Sequence, residues 1–287
     1  MRAGRSRSAP LTAPEVVAHR GATAEAPEHT LAAYRHAAAI GADAVECDVR
    51  MTRDGVLVCV HDRRVTSTSN GRGVVSALHL RELEQFHFGA RRRRNVWADD
   101  EITAVSDEPD VENGLVLTLD RLLDYITATP GTVRLAIETK HTTRHASKVE
   151  EELVTCLRRF GLLGSRGPVE WAGKPAVRVM SFSQLAVRRM HDLAPRVPTV
   201  QLIGKRLRPI RRELLSGSAT AVGPSVALLR ADPGFVADAH TAGKQVHVWT
   251  VNRPGDMDLM RDLGLDAVIT DHPGEMLRRL GRDVPTP

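Results

Sequence analysis

Short apolar runs of strand length recur along most of this chain, with helix-patterned stretches between them. Runs beginning near residues 16, 44, 134, 177, 199, 220, 245 and 267 are rich in Val, Ile and Ala, as expected of strands buried on both faces. A helix is predicted from Pro27, which fits a first turn, through the Ala-rich run to Ile40, with Gly41 closing it. Further helices are predicted at about 119–128, 146–160, 208–216, 233–242 and 273–280. Two more carry apolar residues on one side, Val187, Met190 and Leu193 in the first, Met257, Met260 and Leu263 in the second. Eight strands alternating with helices predict an α/β protein, a (β/α)8 TIM barrel. An open doubly wound sheet competes, but no GxGxxG follows the first strand to support it.

The alternation breaks over about 63–115, which reads as an insertion after a His61-Asp62 pair. It holds a Thr/Ser/Asn/Gly turn segment, a short helix near 79–86, the run Arg91 to Arg94 and an acidic stretch from Asp99 to Glu112. Residues 1–14 read as a flexible basic tail, leaving 15–283 as one barrel domain within the 287 residues. With 42% hydrophobic but only 3% aromatic residues, the core must be built of Ala, Val, Leu and Ile. The three cysteines, Cys47, Cys59 and Cys156, are odd in number and form no CxxC pair, so a reducing, cytoplasmic setting is expected. The net charge of +5 collects in the tail, the Arg91–Arg94 run and a cluster from Lys205 to Arg212. No nucleic-acid module or interleaved aromatics accompany these runs, so no nucleic-acid partner is expected. Neither a signal-peptide h-region nor a membrane span is visible.

In Val45-Glu46-Cys47-Asp48-Val49 the two acids share one face of a strand. Like charges side by side repel, and a divalent cation is the simplest relief. Asp54-Gly55 then predicts a two-residue hairpin loop, in which Val49 pairs with Val60 and His61 stands beside Asp48. A solvated hairpin would show the same alternation. The predicted strand ends, however, are polar throughout: His19 and Arg20, Glu46 and Asp48, Glu138 and Lys140, then Ser181, Trp249 and Asp271. Barrel active sites lie at those ends. Glu46, Asp48 and Glu138 offer carboxylates for one cation, Arg20 and Lys140 charge for an anion, and His19 and His61 proton exchange near neutral pH. That set suits phosphoryl chemistry. A structural ion-pair network would account for any one pair but not readily for the whole set.

His19-Arg20-Gly21, Pro27-Glu28-His29-Thr30, Glu46-Cys-Asp48, Thr52-Arg-Asp54-Gly55, His61-Asp62, Glu138-Thr-Lys140, Ser181-Phe182, Trp249-Thr250 and Thr270-Asp-His-Pro273 together resemble the glycerophosphodiester phosphodiesterase family, in order, from about residue 16 to 280. The resemblance implies a TIM barrel and Ca²⁺- or Mg²⁺-dependent hydrolysis of a small glycerophosphodiester to sn-glycerol 3-phosphate and an alcohol. It implies Glu46, Asp48 and Glu138 as metal ligands, His19 and His61 as the acid–base pair, and Arg20 and Lys140 as the phosphate grip. Glu28 would support the site, and Trp249 would wall the glycerol or leaving group or simply pack the barrel. Three positions depart from the family pattern: His29 for an Asn, Ser67 for an Arg, and Leu117 for a Pro. The expected reaction passes through a cyclic phosphate, with His19 as base and His61 as acid. A lysophospholipase D-type enzyme is the alternative, with Phe86, Phe88 and Trp97 of the insertion as candidates for an acyl groove. A non-catalytic phosphodiester-binding barrel is the other.

Overall fold

All eight predicted parallel strands form, and each pairs with its neighbours in the order that closes a ring. The computed structural model describes residues 13–89, 114–131, 133–141, 145, 147–204 and 215–285. The strands are β1 (Glu15–Ala18), β2 (Ala44–Met51), the antiparallel return arm β3 (Leu57–Cys59), β4 (Arg134–Thr139), β5 (Val177–Ser181), β6 (Thr199–Ile203), β7 (Ala221–Pro224), β8 (Gln245–Val248) and β9 (Ala267–Thr270). Apart from β3 the pairing is parallel, and β1 closes the barrel by pairing with both β9 and β2. The fold is the (β/α)8 barrel expected.

Inward positions of the strands fill the barrel with Val17, Ala44, Ala136, Met180, Val200 and Leu202, among others. Small Ala side chains on β2, β4, β7 and β9 make room for the larger ones opposite. Outward positions such as Val45, Cys47 and Val49 meet the helices, where Leu119, Leu122, Leu123 and Ile126 form the buried stripe of the helix Leu119–Ala128. Burying one such Leu contributes about 1.5–3 kcal/mol.

Several boundaries differ from the sequence reading. Helix α1 (Leu31–Ala39) starts after the N-cap Thr30, whose Oγ1 accepts from Ala33 N at 3.2 Å; Pro27 sits in the preceding turn and its carbonyl accepts from the Thr30 hydroxyl. A helix over Val226–Ala231 was not expected, and two short antiparallel ladders lie between residues 163 and 175. The tail through residue 12, Arg91 to Arg94, the acidic stretch to Glu112, Trp97 and most of the predicted basic helix at 208–216 lie outside the described residues.

The hairpin register is shifted by one residue. Val49 pairs with Cys59 and Met51 with Leu57. A type I′ loop needs positive φ at both central residues, and here Gly55 has it (φ 89°) while Asp54 does not. Thr52 therefore pairs with Val56 (N···O 2.9 Å), leaving a three-residue loop in which Thr52 Oγ1 donates to Asp54 Oδ1 at 2.6 Å. Continued as a ladder, that slip would turn His61 away from the acids. Instead β3 ends at Cys59, and Arg50 Nε and Nη2 donate to the His61 carbonyl at 2.9 and 2.7 Å as the chain swings the imidazole inward.

Within the expected insertion, residues 63–89 pack a small core of their own. Val65, Val75, Leu83 and Phe88 meet Val58, Val60 and Val116. Phe86 is half-buried against that cluster.

Candidate active site

At the C-terminal mouth of the barrel a cavity of about 280 Å³ divides into two halves. His19, Arg20, Glu46, His61, Glu138 and Lys140 form the polar half; Met180, Phe182, Leu202, Trp249 and Ile269 form most of the apolar half. Asp48 lies beneath, 1% exposed, and Glu28 stands behind Arg20 rather than in the lining.

The parallel register puts Asp48 directly beside Glu138, so both side chains emerge from the same face, with Glu46 one inward position below. One oxygen from each of Glu46, Asp48 and Glu138 lies within 4.8 Å of the other two. Burial, then the charges of Asp48 and Glu138, push Glu46 well above the usual carboxylate range. Burial and Asp48 likewise push Glu138 up to about 7. Asp48 goes the other way: burial opposes its ionisation, but the His29 hydrogen bond and the charges of Lys140 and Arg20 hold it well below its ordinary value. Three buried carboxylates that cannot all be ionised by themselves are a fitting donor set for a divalent cation.

Asp48 is the hub of the cations. Lys140 Nζ lies 2.9 Å from its Oδ1 and 2.7 Å from Glu138 Oε1. Arg20 Nε is 3.1 Å from Asp48 Oδ2, a charge contact without hydrogen-bond alignment, while Arg20 Nη1 donates to Glu28 Oε2 at 3.0 Å. The Arg20 backbone, at φ 58°, turns so that its N–H donates to Glu46 Oε2 at 2.9 Å. Gly21 makes this turn possible: its φ is 90°, and an added Cβ would stand 2.6 Å from the Ala33 Cβ.

His29, noted from the sequence as a departure from the pattern it resembles, lies behind the acids. Its Nε2 is 3.0 Å from Asp48 Oδ2 and its Nδ1 2.7 Å from the Tyr34 hydroxyl. Because Asp48 is an acceptor only, Nε2 carries the proton and Nδ1 accepts from Tyr34. Burial holds His29 below the ordinary imidazole value. Leu117, the second departure, is buried in the main core.

Both mouth histidines have Nδ1 held by an aspartate, which leaves Nε2 for chemistry. His19 Nδ1 is 2.6 Å from Asp271 Oδ1, and Asn252 Nδ2 donates to Asp271 Oδ2 at 2.5 Å. His61 Nδ1 is 2.8 Å from Asp62 Oδ1. Asp62 sits below the usual carboxylate value, chiefly through a hydrogen bond from Ser67, the third departure. Burial, with the charges of Lys140 and Arg20, lowers His61. From sequence Asp271 stood out only as a polar strand end within the Thr270-Asp-His-Pro273 motif and Asp62 only within the His61-Asp62 motif, neither with a role, and Asn252 was not singled out. In the apolar half, Trp249 Nε1 donates to the Gly223 carbonyl at 2.7 Å, and its ring meets Phe182 edge-on at 5.2 Å.

The sequence matches the glycerophosphoryl diester phosphodiesterase family across residues 19–275. The chain belongs to that family. A Mycobacterium tuberculosis protein named "Probable glycerophosphodiester phosphodiesterase 1" is 43% identical over 264 residues, covering 91% of this chain and 90% of that one. A Bacillus subtilis glycerophosphodiester phosphodiesterase is 31% identical, covering 90% and 83%. In fold, the chain resembles an Oleispira antarctica phosphodiesterase solved in complex with the product sn-glycerol-3-phosphate (TM-score 0.76, 22% identity, covering 94% and 97%). This glycerophosphodiester phosphodiesterase has no helix, among the described residues, long and apolar enough to cross a membrane.

Proposed function

We propose that this enzyme hydrolyses small glycerophosphodiesters to sn-glycerol 3-phosphate and an alcohol, with one divalent cation, Ca²⁺ or Mg²⁺, held by Glu46, Asp48 and Glu138. The observation that carries this reading is the convergence of those three buried acids beneath a mouth flanked by His19 and His61. When bound, the cation supplies charge to stabilise the negative phosphate and its transition state.

Arg20 and Lys140, both at the cavity wall, grip the phosphate, Arg as a fork and Lys as a point charge. One histidine takes the proton of the glycerol 2-hydroxyl as it attacks phosphorus. The other gives a proton to the departing alkoxide. Water then opens the cyclic phosphate with the roles exchanged. The environment favours His61 as the first base, since burial and the charges of Lys140 and Arg20 lower it and hold it neutral, and this leaves the acid role to His19. This reverses the sequence expectation. The expected outcome is that His19→Ala loses activity on alkyl diesters but keeps much of it on a nitrophenyl diester, which leaves without a proton, while His61→Ala loses both. Selective survival of nitrophenyl activity in His61→Ala instead would restore the original assignment.

The substrate side follows from the apolar half. Phe182 and Trp249 wall the cavity, whereas Phe86 and Phe88 pack inside the insertion and do not line it. That geometry favours a short glycerophosphodiester over a lysophospholipid. Three unpaired buried cysteines support a reducing compartment, the cytoplasm. A panel of glycerophosphodiesters, assayed with chelator and with Ca²⁺ or Mg²⁺ restored, should show activity that vanishes and returns. Faster turnover of lysophosphatidylcholine than of glycerophosphocholine would overturn the substrate reading. Cation binding without alcohol release from any diester would leave a non-catalytic barrel.

A further inference from the structure

At the opposite, N-terminal end of the barrel lies a second concavity of about 510 Å³, lined in part by Glu15, Lys174, Arg134, Arg178 and His247. Glu15 opens β1 and is clamped by Arg134 Nη2 at 2.9 Å and Arg178 Nη1 at 3.0 Å, from the starts of β4 and β5. Such a network ties strands together, which is the usual business of this face of a barrel. It does not account for the rest of Arg178. The Nε and Nη2 atoms, which form the other edge of that guanidinium, are buried with no partner. That edge is the one able to grip two oxygens of a single oxyanion, and buried donors left unpaired cost stability.

Three further features point the same way. Lys174 belongs to the tight ladder Glu170–Trp171 with Lys174–Pro175, whose turn residues Ala172 and Gly173 have φ of 50° and 72°. The turn holds Lys174 over the concavity, where it makes no direct salt bridge among the described residues. His247 lines the same space, 3% exposed, with Nδ1 unpartnered. Charge is unbalanced as well. Glu15 and Asp266 offset two of the three cations and leave one in surplus; Asp266 Oδ2 is itself held by Val246 N at 2.8 Å and His240 at 2.9 Å.

We propose that this concavity is a second binding site, remote from the hydrolytic mouth, for a phosphate oxyanion, free or as a small monoester. Arg178 supplies the fork, and Lys174 and Arg134 supply the remaining charge. The surplus cation together with the unpaired two-donor edge of Arg178 suits a phosphate oxyanion, and the volume leaves room for an organic substituent.

Calorimetric titration of the whole, metal-stripped chain with inorganic phosphate tests this, using Arg20→Ala to weaken the grip at the catalytic mouth. Phosphate is expected to bind Arg20→Ala, at least tenfold more weakly once Lys174→Ala is added, and not measurably once Arg178→Gln is added. Tighter binding of sn-glycerol 3-phosphate than of phosphate would assign the site to the ester; equal binding would assign it to the free ion. Absence of binding to a folded Arg20→Ala chain, or affinity unchanged by both added substitutions, would overturn the proposal and leave a water-filled concavity. Lys174 is exposed, so its substitution stays decisive if Arg178→Gln does not fold; if Arg20→Ala does not fold, Lys174→Ala in the unaltered chain must remove one phosphate-binding step.

Discussion

Asp48 carries more of this site than its concealment implies. His29, Lys140 and Arg20 all contact a side chain that is 1% exposed, so its position is fixed before any cation or substrate arrives. Tyr34 extends that support by one bond, through His29 Nδ1. Removing the Tyr34 hydroxyl leaves a buried nitrogen unpaired, and Tyr34→Phe is expected to lose about 1–3 kcal/mol of stability, measurable by urea denaturation. Because the same bond aims His29 at Asp48, cation affinity should also fall, by about 10-fold or more. Unchanged cation affinity in a folded Tyr34→Phe protein would show that His29 holds its place by packing alone. None of this chain of contacts was legible in the sequence. His29 was visible as a departure from a pattern, but Tyr34 reads as an ordinary core residue of an Ala-rich helix.

Elements were read more reliably than their joints. The eight parallel strands stand out because burial on both faces demands continuous apolar runs, and chain order then fixes the barrel. The hairpin register depended on one dihedral, the φ of Asp54, which sequence does not specify; His61 reaches the mouth through the Arg50 clasp on its carbonyl rather than through the expected pairing. Val226–Ala231 escaped notice because six residues are too few to display a helical period. The β1–α1 turn depends on one glycine. Gly21 has positive φ and meets α1 so closely that Gly21→Ala must push the helix or the turn aside. That substitution is expected to cost about 2–4 kcal/mol, combining a left-handed Ala with overpacking, and to displace Arg20. A thermal midpoint equal to that of the parent would contradict it.

For the whole molecule, the buried acids make stability depend on pH and cation together. Glu138 titrates near 7 when folded and Glu46 is also raised, so the metal-free folded state binds more protons than the unfolded chain from about pH 4.5 upward. Stability contributed by their protonation is therefore present at low pH and is lost as pH rises through about 7. Asp48 and Asp271, both lowered, act oppositely and lose their contribution only in stronger acid. A divalent cation that favours ionised carboxylates should thus stabilise the protein more at pH 8 than at pH 5.5, and a thermal-shift series at both values checks the sign. The most direct test of the site is cation binding by the metal-stripped chain, followed calorimetrically beside the folded Asp48→Asn variant. One ion per chain should bind, at least 100-fold more weakly in the variant, with hydrolysis lost in parallel. Equal binding by the two proteins, or full hydrolysis after the metal is removed, would contradict a cation held by Glu46, Asp48 and Glu138.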